Sequence, residues 1–311
     1  MSTPAPPPVV EPKKRKPSLR ERVNLLIFLG PTLAFVIVFI AFPVVFSGYL
    51  SLTEFNYASD DSATFVGLAG YYDRLINDGF FHTALANQMK FAVTYFFITF
   101  AVSLIVAIFI NELHRGVQVF QVIFYMPMII PLSLVGITFA WILSPDVGFV
   151  NHVLRSMGLE DLATNWLGNP RTALYSLVLA RSWKMIGFTL IIFLAGLQGI
   201  SSNLREAARV DGANFFQEIF FVVLPNLKPY MLVSGIWILI NSIKVFELPA
   251  VVTQGGPGQA TLTLYLYSWK LAFERLDMGE ASQVAYITAA IILILTWVLN
   301  RIFRPETAQR G

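Results

Sequence analysis

Six long apolar stretches set the strongest limit on what this chain can fold into. Each holds about 20 or more mostly apolar residues, the length that a helix needs to cross the hydrocarbon core of a bilayer. They cover roughly residues 24–52, 87–111, 119–143, 173–199, 230–252 and 281–303. Backbone groups in lipid must be hydrogen-bonded internally, so such segments are helices unless they close into a barrel. Runs this long and this apolar predict an all-α membrane protein with six transmembrane helices.

The composition agrees with a membrane protein and excludes several other classes. Of 311 residues, 56% are hydrophobic and 13% are charged, whereas a soluble domain carries about 25% charged residues. Cysteine is absent, which excludes disulfides and thiolate metal sites. The formal net charge of +3 does not indicate nucleic acid. The sequence has no Gly-rich phosphate loop and no cluster of metal ligands, so we expect no enzyme activity, no bound ATP, no other cofactor and no metal.

Charged residues divide the chain into a membrane domain and two tails. Residues 1–22 are Pro-rich and then basic, which predicts a disordered cytoplasmic tail. Residues 23–304 form the six-helix domain, and residues 305–311 a second cytoplasmic tail. Thirteen Lys and Arg residues fall in the segments that would be cytoplasmic, and five in the others. The positive-inside rule therefore predicts a multi-pass membrane protein with both termini in the cytoplasm.

A charged, helix-prone insert, EAARVDGANFFQEIFFVVLP, separates the fourth and fifth apolar stretches. It spans residues 206–225 and contains helix formers, a Gly212 break, a second apolar-faced run and a closing Pro225. This pattern predicts two short helices hinged at Gly212 on the cytoplasmic side. One interpretation is a docking surface, where a partner buries the aromatic side chains and a partner arginine pairs with Glu206. The alternative is an amphipathic helix that lies on the membrane surface.

The Glu-Ala-Ala, Asp-Gly-Ala and Leu-Pro groups of this insert, at their spacing here, resemble a loop that docks the ATPase. That loop belongs to permease subunits of binding-protein-dependent ABC importers. The resemblance covers about residues 25–303 and implies the type I ABC importer permease fold, in a bacterial or archaeal inner membrane. It implies a coupling loop at residues 201–225. The coupling residues are then Glu206, Ala207, Ala208, Asp211, Gly212, Ala213, Phe216, Leu224 and Pro225.

A Gly-Gly-Pro sequence indicates the branch of that family. Gly255, Gly256 and Pro257 by themselves predict only a turn. They follow the fifth apolar stretch directly and precede several aromatic residues. In that position they are similar to a loop of carbohydrate permeases of the maltose and glycerol-phosphate type. The resemblance implies that this loop faces a solute-binding protein or the mouth of the translocation path.

Polar and aromatic residues in the fourth and fifth stretches are candidates for a solute path. The set is Trp183, Met185, Phe188, Trp237, Ile238, Asn241, Ser242 and Lys244. On a helical period, Trp237, Asn241 and Lys244 share one face. Aromatic faces beside amide or hydroxyl groups suit a sugar, and the matching positions contact substrate in maltose-type permeases. The alternative is hydrogen bonding between helices.

Other polar residues and prolines in the apolar stretches carry weaker expectations. Lys184 and Lys244 fit an anionic solute, but equally lipid headgroups or a partner. Lys90 and Arg181 lie near the external ends of their stretches, and we expect both to reach the membrane interface. Paired prolines at 127 and 131 predict a kink in the third stretch.

The resemblance also implies partners and a mechanism. One six-helix subunit forms half of a path, so a second, related permease subunit is needed. Two ATPase subunits would bind ATP and Mg, and a binding protein would deliver the sugar, polyol or related solute. ATP must favour one state of this assembly over the other, and the coupling loop carries that difference. Two alternatives stay open: a secondary transporter, expected to show a repeat and discontinuous helices, and a non-transporting membrane scaffold.

Overall fold

The computed structural model describes residues 19–59, 63–113 and 115–303. The predicted tails at 1–18 and 305–311 lie outside these residues. A first compact unit ends at Tyr49. It contains helix α1 (Leu19–Val36), a π-turn at Ile37–Ala41 and all but the last residue of helix α2 (Phe42–Leu50). Helix α1 begins at Leu19, so the end of the predicted tail at residues 19–22 is helical.

The second unit contains the remaining elements and begins with a two-stranded antiparallel sheet. Its strands are β1 (Thr53–Glu54) and β2 (Thr64–Phe65), paired as Thr53 with Phe65 and Glu54 with Thr64. The helices are α3 (Ala69–Ile76), α4 (Gly79–Asn111), α5 (Val117–Ile129), α6 (Leu132–Ile142), α7 (Phe149–Ser156), α8 (Ala173–Gln198), α9 (Ser202–Val210), α10 (Phe215–Glu218), α11 (Leu224–Ile243), α12 (Leu264–Phe273) and α13 (Met278–Phe303). A 3₁₀ turn lies at Glu160–Leu162, and π-turns lie at Ile219–Val223 and Pro249–Thr253.

In the described part of the chain, five helices are long and apolar enough to cross a membrane. They are Ile27–Leu50, Gly79–Asn111, Ala173–Gln198, Phe215–Ile243 and Met278–Ile302. A sixth span is counted only when α5 and α6 are taken as one bent pair. The predicted all-α membrane fold is confirmed, and the number of spans is five or six.

Helix α8 is the most buried of these spans and contacts α4, α5, α6 and α11. Its residues Leu177, Val178 and Met185 pack with Phe91 and Tyr95 of α4, and all five side chains are buried. Since lipid tails are as apolar as leucine, close packing of this kind holds helices together in a bilayer. Helix α8 is thus the central helix, against which α4, α5, α6 and α11 pack.

The predicted kink in the third apolar stretch is present as a break, where α5 and α6 lie at 98° to each other. The break falls at Ile130 and Pro131. Proline has no backbone N–H and forces the residue before it into extended geometry, and Ile130 has φ −69° and ψ 131°. Lys184 of α8 donates hydrogen bonds to the exposed carbonyls of Met128 (2.7 Å) and Ile130. Lys184 therefore closes the end of α5 and is engaged within the protein.

The fifth stretch also differs from its prediction, at both ends. Helix α11 continues from α10 through a π-turn as one helix over Phe215–Ile243, so Pro225 lies inside this helix, two residues after the π-turn, and does not stop it. The helix then ends nine residues before the predicted boundary at 252. Side chains satisfy the freed carbonyls: Arg181 Nη2 donates to Asn241 O (2.9 Å), and Gln88 Nε2 to Ser242 O (2.9 Å). Arg181 therefore binds the broken end of α11 inside the protein. This differs from the prediction, in which Arg181 reaches the membrane interface.

A buried charge cluster joins four elements at the end of the bundle that carries the β-hairpin. The Arg74 guanidinium pairs with the carboxylates of Asp78 and Glu280, and Tyr267 Oη donates to Asp78 Oδ2 at 2.6 Å. Asp78 also caps α4, because its Oδ1 accepts from the Phe80 and Phe81 N–H groups. The cluster therefore connects α3, α4, α12 and α13.

This cluster predicts acid-sensitive stability. Burial opposes the charge on Asp78, but hydrogen bonds from Tyr267, the Phe81 N–H and Arg74 outweigh it and hold the pKa of Asp78 below its ordinary value of 3.8. A depressed folded pKa gives stability that is complete above the unfolded value and is lost as the pH falls through the folded value. We expect the thermal midpoint to fall as the pH is lowered from about 5 to 3, and Asp78→Asn to reduce that dependence. The exposed-site variant Asp161→Asn should keep it; equal curves for both variants would contradict the assignment.

Candidate functional site

The segment between α8 and α10, residues 199–214, is here called the α9 loop. Gly212 follows α9 with φ +85°, a conformation that glycine adopts without strain. Gly212 N donates to Arg209 O (3.1 Å) and Ala213 N to Ala208 O (2.9 Å), the paired bonds that close a helix C-terminus. Asn214 then caps α10 in a reciprocal pair with Gln217. The predicted hinge at Gly212 is therefore a fully hydrogen-bonded turn of defined geometry.

Four charged residues anchor the α9 loop to two spanning helices. Glu218, only 2% exposed at the start of the helix that becomes α11, accepts from Arg209 Nε at 2.8 Å and pairs with Arg205. Arg205 also pairs with Glu112, which follows the end of α4, and Arg209 Nη2 lies 3.9 Å from Glu112 Oε2. Burial opposes the charge on Arg205, but its hydrogen bonds to the Glu112 and Glu218 carboxylates outweigh it and raise the pKa of Arg205. Arg205 therefore stays charged.

Sequence reasoning found only part of this anchor. The sequence does not predict the pairing of Arg205, Arg209 and Glu218, which lie in or directly before the insert, and it gives no role to Glu112. A signal was present. Arg205 and Arg209 are four residues apart and so lie on one helix face, where two neighbouring guanidinium groups are stabilised by carboxylate acceptors. The position of Glu112, directly after a spanning helix, offered a second signal.

Because the arginines of α9 turn inward, its other face is free. Leu204, Ala207 and Val210 follow each other at three-residue spacing on that face, and Val210 is 87% exposed. Glu206, Asp211 and Gly212 are exposed beside them, whereas Ala208 and Ala213 are half-buried. The outer face of α9 is thus a small apolar surface with acidic residues at its edge.

The predicted coupling residues after Gly212 lie elsewhere. Phe216 and Leu224 line an apolar groove of about 520 Å³ between α4 and the helix that runs from Phe215. Pro225 is exposed within the spanning helix. The prediction is one docking surface across both short helices; in the structure Phe216 and Leu224 line the groove against α4.

The predicted solute-path residues also divide into two groups. Trp183 and Trp237 are 43% and 40% exposed, and the Trp237 ring lies 5.0 Å from that of Phe188. Asn241 is half-buried, and its amide donates to Trp237 O at 2.9 Å. Lys244 is exposed at the end of α11, where its N–H still donates to Ile240 O at 3.1 Å. The other three residues, Met185, Ile238 and Ser242, are buried inside the subunit.

A pocket beside the end of α11 was not predicted. It has a volume of about 540 Å³, and Arg181, Lys244 and Glu247 line it together with Phe246 and Trp269. The sequence signal was weak, because these residues come from α8, from the unwound segment after Ile243 and from α12. Only their tertiary arrangement brings them together.

The loop with the Gly-Gly-Pro sequence is fixed to the start of α4. Asn87 Nδ2 donates to Gln259 O (2.7 Å) and to Leu262 O (3.1 Å). Within the loop, Thr261 Oγ1 donates to Gly256 O at 2.8 Å, and Gly255 has φ +90°. The predicted turn at Gly255–Pro257 is present, at the same end of the bundle as the Arg74 cluster.

Comparison with known proteins places the chain. Residues 100–305 match the family described as binding-protein-dependent transport system inner membrane component. The chain is 31% identical over 280 residues to the probable ABC transporter permease protein YurN of Bacillus subtilis (strain 168), covering 89% of this chain and 95% of that one. It is 30% identical over 288 residues to the sulfoquinovosyl glycerol transport system permease protein SmoG of Agrobacterium fabrum (strain C58), covering 93% and 92%. It is also 31% identical over 281 residues to the trehalose/maltose transport system permease protein MalF of Thermococcus litoralis, covering 88% and 91%.

Solved structures share the fold. A bacterial ABC transporter involved in the import of the acidic polysaccharide alginate matches with a TM-score of 0.78 and 23% identity, covering 92% of this chain and 96% of that one. The bacterial alginate ABC transporter in complex with alginate pentasaccharide-bound periplasmic protein gives the same values. The type I permease fold is therefore confirmed. By its sequence and its fold, the chain belongs to the inner-membrane permease components of binding-protein-dependent ABC importers, in the sugar-transport group.

Proposed function

We propose that this permease passes a sugar, polyol or related solute to the cytoplasm and is driven through the α9 loop by two partner ATPase subunits, which bind the ATP and Mg. One observation carries the proposal: α9 exposes an apolar face while buried ion pairs anchor its other face to two spanning helices. A helix lying on a membrane surface would need no anchor of this kind. The Lys and Arg distribution favours a cytoplasmic position for this loop.

The anchor gives a direct route for movement. Arg205 pairs with Glu218 on the helix that becomes α11 and with Glu112 at the end of α4. A partner that displaces α9 therefore displaces the ends of both spans. Packed helices shift between discrete arrangements, so a small movement at one end can change access at the other. ATP binding by the partners would favour one arrangement.

The solute path would follow the uncovered faces of α8 and α11. Trp183, Phe188, Trp237, Asn241 and Lys244 present aromatic, amide and ammonium groups that this subunit does not bury. A second, related permease subunit would supply the facing half. At the opposite end, the Gly255–Pro257 loop would face the solute-binding protein, as the complex of the alginate transporter with its periplasmic protein suggests.

Reversing the charge of Glu206 tests the ATPase contact. We expect Glu206→Lys to weaken association with the ATPase subunits about tenfold or more, because like charges across an interface oppose binding. Co-purification of the complex and ATP-dependent uptake into vesicles would measure the effect. Glu160→Lys, a charge reversal at the other end of the bundle, is the control. Unchanged association in Glu206→Lys, with altered membrane adsorption of an α9 peptide, would favour the surface-helix alternative.

A further inference from the structure

The pocket beside the end of α11 combines charge and aromatic surface within the membrane domain. Arg181 lies eight residues after the start of α8, which places its Cα about 12 Å along that helix. The pocket therefore lies about two helical turns from that end of α8. Its volume of about 540 Å³ is within the range of small-molecule sites.

The positive groups of this pocket are not neutralised by the chain itself. Among the described residues, no ion pair involves Lys244, Glu247 or Arg181. Arg181 is 7% exposed, and one of its nitrogens, Nη2, is used on Asn241 O. Its Nε has no hydrogen-bond partner in the described part of the chain. Two cations against one carboxylate leave a net positive site, and a guanidinium offers planar recognition of an anion.

One wall of the same pocket is aromatic. The Trp269 ring lies 5.9 Å from that of Phe246 and 5.7 Å from that of Phe273, and Tyr265 also lines the space. Such rings offer a flat apolar surface to the C–H face of a sugar, while Lys244 and Glu247 offer a donor and an acceptor for its hydroxyl groups. A simple inorganic anion would leave this wall unused.

We infer that this pocket binds an acidic sugar, with its carboxylate or other anionic group on Lys244 and Arg181 and a ring face on Trp269. The inference rests on the proposed transport function and adds the class of solute. Glu247 sets the selectivity, since it accepts from sugar hydroxyls and repels an anionic group placed at its side of the pocket. A lipid phosphate shares the anionic chemistry, but an exposed Glu247 at the pocket opposes a headgroup approaching from the bilayer.

Binding of a matched pair of probes tests this assignment. We would assemble the full complex in nanodiscs of phosphatidylcholine and measure binding of digalacturonate and of its neutral counterpart, galactobiose, by equilibrium dialysis. Wild-type complex should prefer digalacturonate. Lys244→Met should lower the affinity for digalacturonate about tenfold or more, because charge-assisted hydrogen bonds are among the strong ones. Lys244→Arg should keep the preference, and Glu247→Gln should increase it.

The controls separate this inference from the proposed function. Lys228→Met, a charge loss on the same span at the opposite end, should leave both affinities unchanged. Equal or absent binding of the two probes would overturn the acidic-sugar assignment, even if Glu206→Lys still abolishes ATPase association. Loss of digalacturonate binding when phosphatidylglycerol is added to the nanodiscs, with the Lys244 variant insensitive, would assign the pocket to an anionic lipid instead.

Discussion

Replacing Glu218 with leucine should lower ATP-driven uptake about a hundredfold while the permease still binds its ATPase partners. Glu218 is buried beneath Arg205 and Arg209 and is the acceptor that both arginines share. Removing one partner of a buried ion pair costs about 3–5 kcal/mol, and about 1.4 kcal/mol is a factor of ten. The outer face of α9 would remain intact, so assembly should persist, but movement of α9 would no longer reach the spanning helix.

The measurement must separate anchoring from assembly. Uptake per ATP hydrolysed should fall in Glu218→Leu, and the amide hydrogens of α9 should exchange faster, because an unanchored helix opens more often. Glu218→Gln keeps an acceptor and should have a smaller effect. Glu274→Leu removes an exposed carboxylate, 3.8 Å from Lys270 Nζ, and serves as the matched control. Wild-type coupling in Glu218→Leu would show that the cluster does not transmit movement.

The sequence was sufficient for those features that lipid and local geometry impose. The need for about 20 apolar residues per span located five helices. The majority of their ends were placed to within a few residues. The helix formers before Gly212 located α9, because a glycine at that position closes a helix. The Gly-Gly-Pro turn was equally local. Each of these predictions depends on neighbours in the chain.

The breaks in the spans also involve distant residues, which local sequence does not reveal. Pro131 predicted a kink but not its 98° angle, and Lys184, more than fifty residues away, binds the carbonyls that the bend exposes. The end of α11 at Ile243 likewise depends on donors from α4 and α8. Pro225 suggested a stop, yet the helix continues through it, two residues after a π-turn. Discontinuous helices, which we had expected of a secondary transporter, are therefore present in this ABC permease.

Both breaks are held by one helix, which clarifies the role of its basic residues. Arg181 and Lys184 lie three residues apart on α8, on the same face. One donates to α11 and the other to the end of α5. From sequence, Lys184 suggested an anionic solute, but its ammonium is used within the fold. Of the two lysines singled out, Lys244 alone remains available to a solute.

The packing of α8 against α5 makes Gly187 the residue whose substitution should be most damaging to the fold. A Cβ at this position would lie 2.0 Å from Phe124 O and 2.7 Å from Tyr125 Cα, both backbone atoms of α5. Backbone cannot yield as a flexible side chain can, so α5 would have to move away from α8. Lys184 lies one turn earlier and binds the end of the same helix, and its hydrogen bonds to Met128 and Ile130 would be lost as well.

Gly187→Ala should therefore destabilise the subunit by about 3 kcal/mol or more, the upper part of the range for overpacked cores, with little folded complex recovered. Thermal unfolding of the detergent-solubilised complex and the yield of assembled protein measure this effect. Gly235→Ala is the matched control, because it also adds one methyl group to a buried glycine of a spanning helix. Its Cβ would lie 3.7 Å from the Phe96 ring, an ordinary contact, so that variant should fold normally. If both variants unfold at the same temperature, α5 and α8 are not in backbone contact, and the support of the α5 break by Lys184 has to be reconsidered.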